Sequence, residues 1–505
     1  MGFGSMLRHI CMVLHCSLLG KTTSFSSSAR RSIRSSSLSL RMSSDNGQPR
    51  RLSIGVIGGG AAGLATARAF LRSNGESNTI FDVTVFESRM NPGGVWKYDE
   101  EASGEKKSRP MYRNLRTNLP KELMQFPEFA WGEGDGLDAS YVTHSQVQEY
   151  LENYTNEFNL HAHIKYGCKV EHLLVTSDKG GESGDWPRVQ LKWTEEGGTE
   201  RVGIFDSVCV ANGHYSSPSC PEIPGIRRFK GRIMHSIEYD DPNDFAGQTV
   251  LLIGARASGV DIAREIASGA KRVYLSDSTC TEKQEYGKVH HLPRTKSIDE
   301  DGTIHFSFGE KEWTTTDVDT ICFASGYDYS FPFIDDDSNL DMSFVKGERR
   351  VKPLYKQLWH AKCPSLAFVG LPHSVVPFPL FDYQASAIVS QLCPRERTIP
   401  LPPLEDRILS AEIDARSADR IVDTHYLGGK QWDYCRDMCR IAGTYTEVTE
   451  NYIATNAALY DRSGVERKGM KPGEEDLYRE TRFAREDEKQ TYRILHSELE
   501  PIATG

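Results

Sequence analysis

Leu52-Ser53-Ile54-Gly55-Val56-Ile57 is a short apolar, β-branched run, and Gly58-Gly59-Gly60-Ala61-Ala62-Gly63 follows it without a break. Leu64 to Leu71 then carries a helical pattern, Ser73 to Asn78 is polar, and Phe81 to Phe86 reads as a second strand. Strand, glycine turn, helix and strand make one βαβ unit. In the G-x-G-x-x-G spacing Gly58 makes the tight turn, Gly60 lets backbone approach a pyrophosphate, and Gly63 lets helix pack on strand. The phosphates then face the positive N-terminus of the helix that starts near Ala61 and Ala62. Glu87 closes the second strand, where an acid accepts the hydroxyl hydrogens of an adenosine ribose and repels a 2′-phosphate. The first site is therefore expected to hold FAD or NAD.

The pattern recurs. Thr249 to Ile253 is strand-like, Gly254-Ala255-Arg256-Ala257-Ser258-Gly259 is the turn, a helix runs through Val260, Asp261 and Ile262 to Ile266, and Arg272 to Leu275 is the return strand. Arg256 replaces the middle glycine; its side chain either obstructs the backbone approach or turns outward, and the sequence leaves both open. Leu275 is followed by Ser276-Asp277-Ser278, so Asp277 would repel a 2′-phosphate, while Lys271, Arg272 or Arg294 remain cations that could reach one. A Pro/Ser/Gly-rich crossing, Ser216 to Gly225, separates the two units, and further strand-like runs occur at Val318 to Phe323 and Leu366 to Gly370. The expected fold is α/β, with two Rossmann-like dinucleotide-binding domains, the smaller inserted in the larger. Residues 51–225 form the first part of the FAD domain, 226–324 the NAD(P) domain, and 325–505 the second part with a polar C-terminal tail of helical flavour.

At 505 residues the chain is long enough for two or three folded units. A net charge of -10 without a basic tract in the body of the chain excludes a nucleic-acid role. The cysteines lie scattered from Cys11 to Cys439, with no C-x-x-C pair and no zinc spacing, so neither a dithiol reductase nor a metal site is expected. No Asp or Glu precedes Asp45, whereas Arg8, Lys21, Arg30, Arg31, Arg34 and Arg41 sit among serines. That is the composition of an organelle transit peptide (plastid or mitochondrion), so residues 1–50 are set apart as a targeting or disordered extension. No stretch is long and apolar enough to span a membrane, and a soluble mature protein is expected.

Five further stretches bear on chemistry. Asn91-Pro92-Gly93-Gly94-Val95-Trp96 resembles the segment that lies against the flavin in flavin-containing and Baeyer–Villiger monooxygenases. Phe229-x-Gly231-x-x-x-His235-x-x-x-Tyr239 resembles the F-x-G-x-x-x-H-x-x-x-[FY] fingerprint of the flavin-containing monooxygenases, which links their two domains. Tyr112 to Glu122 resembles the T-N segment whose Asn faces flavin and nicotinamide. Ala324-Ser325-Gly326-Tyr327 resembles the A-T-G-[FY] element with Ser for Thr, and Phe381-Asp382-Tyr383-Gln384-Ala385 resembles the stretch whose Gln borders the flavin. The resemblance covers about Leu52 to Ala385.

The resemblance implies roles. Gly94, Val95, Trp96, Thr117, Asn118 and Gln384 join Gly58, Gly60, Ala61, Ala62, Gly63 and Glu87 on the FAD side; Gly254, Ser258, Gly259, Val260 and Asp261 hold the nicotinamide dinucleotide, NADPH by resemblance with NADH open. The implied reaction is hydride transfer to FAD, addition of O2 at flavin C4a, and delivery of the terminal hydroperoxide oxygen to a nitrogen or sulfur lone pair, as in N,N-dimethylaniline-type monooxygenases. Asn118 is the expected catalytic residue. A small amine or sulfur compound and O2 are the expected partners, and an oligomer is compatible with the sequence. Two alternatives stand: a Baeyer–Villiger ketone oxygenase, against which Tyr239 argues, and a non-catalytic FAD redox sensor whose second site has decayed through Arg256 and Asp277.

Overall fold

A computed structural model describes residues 49–499 apart from 77, 99–109, 133–137, 182–183, 417, 419 and 471–475. The expected targeting segment lies outside the described residues.

The first expected strand runs from Arg50 to Ile57 and pairs parallel, in step, with Thr79–Phe86. Parallel strands covered on both faces need apolar surroundings on both: Leu52, Ile54 and Val56 are fully buried on one face, and Ile57 is buried on the other. This pair sits in a seven-stranded sheet ordered Leu354–Tyr355, Trp359–His360, Leu366–Phe368, Ser207–Val210, Arg50–Ile57, Thr79–Phe86 and Ile164–Lys165. The first two pairings in this order are antiparallel and the remaining four parallel. Helix Ala61–Arg72 lines one face with Ala61, Leu64, Ala65, Ala69 and Phe70, small residues alternating with large ones so that helix Pro377–Leu392 packs directly on it. Arg72 pins the two helices together by donating to Asp382 (2.9 Å) and Ser386 (2.6 Å).

The second sheet has six strands, in the order Gln284–Tyr286, Val289–Leu292, Arg272–Ser276, Thr249–Ile253, Thr320–Phe323 and Arg232–His235. Only its outermost pair is antiparallel. Every strand of this sheet falls between residues 232 and 323, while the first sheet draws strands from both sides of that interval. The smaller unit is thus inserted in the larger, as the recurrence of the glycine pattern predicts. Two three-stranded antiparallel sheets, Lys169–Gly181 with Gly184–Thr194 and Glu200–Phe205, and Thr295–Ile298 with Ile304–Phe308 and Lys311–Thr315, were not foreseen.

The segment after Pro394 is more than a polar tail. Helices Leu404–Arg416, Gln431–Ala442 and Glu447–Gly469 are followed by the hairpin Arg482–Glu486/Thr491–His496. Trp432, Met438, Ile453, Leu459, Tyr478 and Phe483 enter the same core as the first strand. The sequence signal was weak because these apolar residues are diluted by charged ones on the outward faces.

Candidate functional site

The glycines of the first loop are required by sterics. Gly58 has φ +106° and a Cβ there would lie 2.5 Å from the Ala211 carbonyl oxygen; on Gly63 it would lie 1.8 Å from the carbonyl oxygen of Gly58. The Gly93-Gly94 turn closes on this loop: Gly93 N–H donates to Gly59 O (2.9 Å), and a Cβ on Gly94 would stand 2.9 Å from Gly60 Cα. Glu87 is buried at the junction, accepting from Gly59 N–H (2.8 Å) and Arg89 N–H (2.8 Å), while the Arg89 guanidinium donates to Gly94 O (2.7 Å). Gly94–Trp96 form one 3₁₀ turn, Val95 included, with Trp96 packed on the core. Helix Ala61–Arg72 has no acid in its first turn, which leaves its N-terminal field free for an anion. The loop, the acid and the Gly93–Trp96 turn, three stretches spread over some forty residues, therefore form one cradle, and its geometry fits a dinucleotide with an unphosphorylated ribose.

The second loop repeats the first. Gly254 has φ +116° with a Cβ 2.4 Å from Ala324 O, and a Cβ on Gly259 would be 1.8 Å from Gly254 O. Gly254 N–H donates to Ser276 O (2.8 Å), just as Gly58 N–H donates to Phe86 O (2.9 Å). Arg256 is exposed at the N-cap of helix Ala257–Ala267; burial lowers the His373 pKa and the Arg420 hydrogen bond lowers that of Asp423, and the Arg256 charge adds to both shifts. Ser258 is exposed and Val260 half-buried on the first turn.

The Phe229-to-Tyr239 fingerprint has a physical reading. A Cβ on Gly231 would stand 2.2 Å from Asp319 O, so glycine alone lets the edge strand Arg232–His235 join the sheet. His235 Nδ1 accepts from Ile237 N–H (3.1 Å), which leaves the ring proton on Nε2 to donate to Gly326 O (3.1 Å). Burial pushes its pKa down, which suits a brace rather than an acid or base. Tyr239 donates to Glu265 on helix Ala257–Ala267 (2.8 Å). Ser325 in turn donates to Ser219 O, tying Ala324-Ser325-Gly326 to the crossing segment.

Asn118 is half-buried, and its carbonyl accepts from Arg467 (3.0 Å). Thr117 is buried: its N–H donates to Val142 O (2.8 Å), its hydroxyl accepts from Val142 N–H (3.2 Å), and its carbonyl accepts from Arg479 Nε (2.9 Å). Gln384 is fully buried, accepting from Gly370 N–H (2.9 Å) and donating to Tyr434 (2.8 Å), so both ends of its amide are engaged by protein. Asp261 does not address the glycine loop. Its carboxylate faces Arg479 (2.8 Å) and Arg264 (3.4 Å), and Asp476 completes the cluster. Arg479 thereby joins the helix of the second nucleotide fold to the backbone of Arg116 and Thr117.

Arg479, Arg467, Arg89 and Gln148, whose amide donates to Pro92 O (2.9 Å), had no local signal in the sequence. Neither had His214, His373 and His425. Rings of His214 and His425 flank Tyr329 at 5.4 and 5.3 Å, and burial, with repulsion from His373, pushes His214 down to about 4 and His425 to about 3, so both are neutral near pH 7. Among the described residues no group of three or more His, Cys, Asp or Glu could hold a metal, and no helix is long and apolar enough to cross a membrane.

Similar proteins place this arrangement. The family described as flavin-binding monooxygenase-like matches residues 51–283. Flavin-containing monooxygenase FMO GS-OX-like 4 of Arabidopsis thaliana is 35% identical over 431 residues, covering 80% of this chain and 90% of its own; FMO GS-OX-like 2 is 36% identical over 362 residues, covering 68% and 74%. Among solved structures, S-allyl-L-cysteine S-oxygenase from Allium sativum superposes with a TM-score of 0.74 at 30% identity, covering 87% of this chain and 97% of its own. Tmm from Pelagibacter sp. strain HTCC7211, at 22% identity and TM-score 0.67, covers 85% and 92% and shares the fold. With two glycine cradles in one chain, the fingerprint between them, and relatives matched over most of both lengths, the chain belongs to the flavin-containing monooxygenase family.

Proposed function

We propose that the protein oxygenates a nitrogen or sulfur nucleophile, taking electrons from a reduced nicotinamide dinucleotide and oxygen from O2. The observation that carries this reading is the duplicated cradle: two loops with the same glycine geometry and the same strand-end hydrogen bond, followed in each case by an acid. The segment 51–225 with 325–505 carries FAD, and 226–324 carries the nicotinamide dinucleotide, for which the family resemblance implies NADPH. The bound flavin supplies hydride acceptance and oxygen activation. This chain's own residues do the rest. The Gly58–Gly63 loop and helix N-terminus would hold the pyrophosphate, Glu87 the ribose and Gly94 to Trp96 the flavin, while Gln384 fixes the Gly370 backbone. Gly254, Ser258, Gly259 and Val260 hold the second pyrophosphate. Asp261 acts at one remove, through Arg479.

Asn118 would present its amide to the reacting centre, with its own carbonyl held by Arg467 and that of Thr117 by Arg479. Sulfur is favoured over nitrogen because the garlic relative, 30% identical, is an S-allyl-L-cysteine S-oxygenase; tertiary amines of the N,N-dimethylaniline type are the competing substrates. The test is anaerobic bleaching of the bound flavin by nicotinamide nucleotide, then O2 with thioethers or amines while sulfoxide, N-oxide and hydrogen peroxide are measured. Asn118→Ala is expected to retain flavin but raise peroxide relative to product. An unchanged ratio removes Asn118 from the mechanism, and flavin that neither nucleotide bleaches removes the whole reading.

A further inference from the structure

We infer that the second site selects a dinucleotide whose adenosine ribose carries a free 2′-hydroxyl, so that NADH is preferred to NADPH, and that Asp277 decides it. This rests on the proposed use of a nicotinamide dinucleotide and sharpens it. The two loops correspond at both ends: Gly58 N–H on Phe86 O matches Gly254 N–H on Ser276 O, and the clashes that exclude a side chain at Gly63 and Gly259 are the same, although Ala255 and Arg256 stand where the first loop has Gly59 and Gly60. The residue after each strand end is therefore equivalent, Glu87 in the first fold and Asp277 in the second. An acid at this place accepts from ribose hydroxyls, whereas a 2′-phosphate there needs a cation.

Asp277 is held in place as an anion. Its Oδ1 accepts from Thr279 N–H (2.5 Å), Thr279 Oγ1 (2.6 Å) and Cys280 N–H (3.3 Å), and its Oδ2 lies 2.5 Å from His291 Nε2. Burial alone would raise its pKa, but His291 and Thr279 outweigh it and hold the carboxyl down at about 2. Oδ2 keeps a lone pair for a ribose hydroxyl.

Of the three cations that the sequence offered, two stand at the far end of the sheet. Arg272 opens the strand that Ser276 closes, roughly 13 Å away at about 3.3 Å per residue. It is also engaged by Asp317 (3.0 Å) and the Tyr274 hydroxyl (3.2 Å). Lys271 precedes it, farther still. Lys283 pairs with Glu285 (2.6 Å). Arg294, exposed two residues beyond the end of Val289–Leu292, is the one cation of those named in the sequence that stands at the correct end of the sheet.

The experiment uses the full-length, flavin-loaded enzyme. Calorimetric binding of adenosine 5′-monophosphate and adenosine 2′,5′-bisphosphate is measured first, without turnover, and then the rates of anaerobic flavin reduction by NADH and NADPH. Like-charge repulsion predicts a preference for the unphosphorylated partner of roughly 10- to 100-fold in both assays. Asp277→Arg should reverse it and Asp277→Asn should narrow it, with flavin content unchanged. Bisphosphate binding as tight as or tighter than monophosphate in the unmutated protein overturns the inference, and loss of that affinity in Arg294→Ala would then name Arg294 as the phosphate reader. A ratio unmoved by either Asp277 variant also overturns it. Retained flavin with no binding or bleaching by any nucleotide overturns the reading of the second site itself.

Discussion

Replacing Arg479 with Met tests whether the C-terminal segment clamps the Asn118 backbone. The Arg479 side chain is 6% exposed and donates to Asp261 (2.8 Å), Asp476, Thr117 O (2.9 Å) and Arg116 O (3.4 Å). Charge-assisted hydrogen bonds are each worth about 1.5–3 kcal/mol, and removing one member of a buried pair costs about 3–5 kcal/mol. Arg264 remains beside both acids (3.4 and 2.5 Å), which moderates the loss. About 3 kcal/mol is therefore expected, local to this junction. The reporter is the Thr117 amide, which is hydrogen-bonded to Val142 O. Hydrogen exchange there should accelerate by roughly two orders of magnitude, since about 1.4 kcal/mol is a factor of ten. Arg479→Lys keeps the charge but loses the planar fork that serves three directions at once, so an intermediate acceleration is expected. Product coupling should fall in the same order. Exchange at Thr117 within twofold of the unmutated protein in Arg479→Met would show that the clamp is not what holds this backbone.

The two cradles can be separated by one methyl group each. Gly63→Ala and Gly259→Ala meet the same 1.8 Å clash, so the first should yield apoprotein or unfolded protein, while the second should keep its yellow flavin and lose nicotinamide binding; loss of flavin from both variants alike would contradict independent sites. Glu122 offers a pH prediction: burial pushes its carboxyl up to about 7, against opposing hydrogen bonding and the charges of Lys121 and Arg485. The folded state then binds the extra proton between pH about 4.5 and about 7, so this group's contribution to stability declines as pH rises through that window, by up to about 3 kcal/mol. Glu122→Gln should flatten the fall, which thermal melts from pH 5 to 8 would detect; an equally steep profile in the variant would place the proton elsewhere.

What the sequence determined by itself is local. The strand Arg50–Ile57, the turn from Gly58 to Gly63 and the helix after it were legible because backbone sterics, the two-residue strand period and the helical period act over a few neighbours. The same holds for the repeat at Thr249–Ile253, and the two repeats together with the later strand-like runs at Val318 to Phe323 and Leu366 to Gly370 were enough to foresee one unit inserted in another. The direction taken by a side chain was not legible. Asp261 facing Arg479 rather than the loop, and Gln384 with both amide ends occupied, were decided by partners that only folding brings near. Arg479 lies 218 residues from Asp261 and 362 from Thr117, and no periodicity reaches across such a distance. Local sterics write the glycine loops into the chain; the charges that join Asp261, Arg479 and the Thr117 backbone are matched in three dimensions alone, because a buried ion must find its counter-ion wherever the packed core puts it.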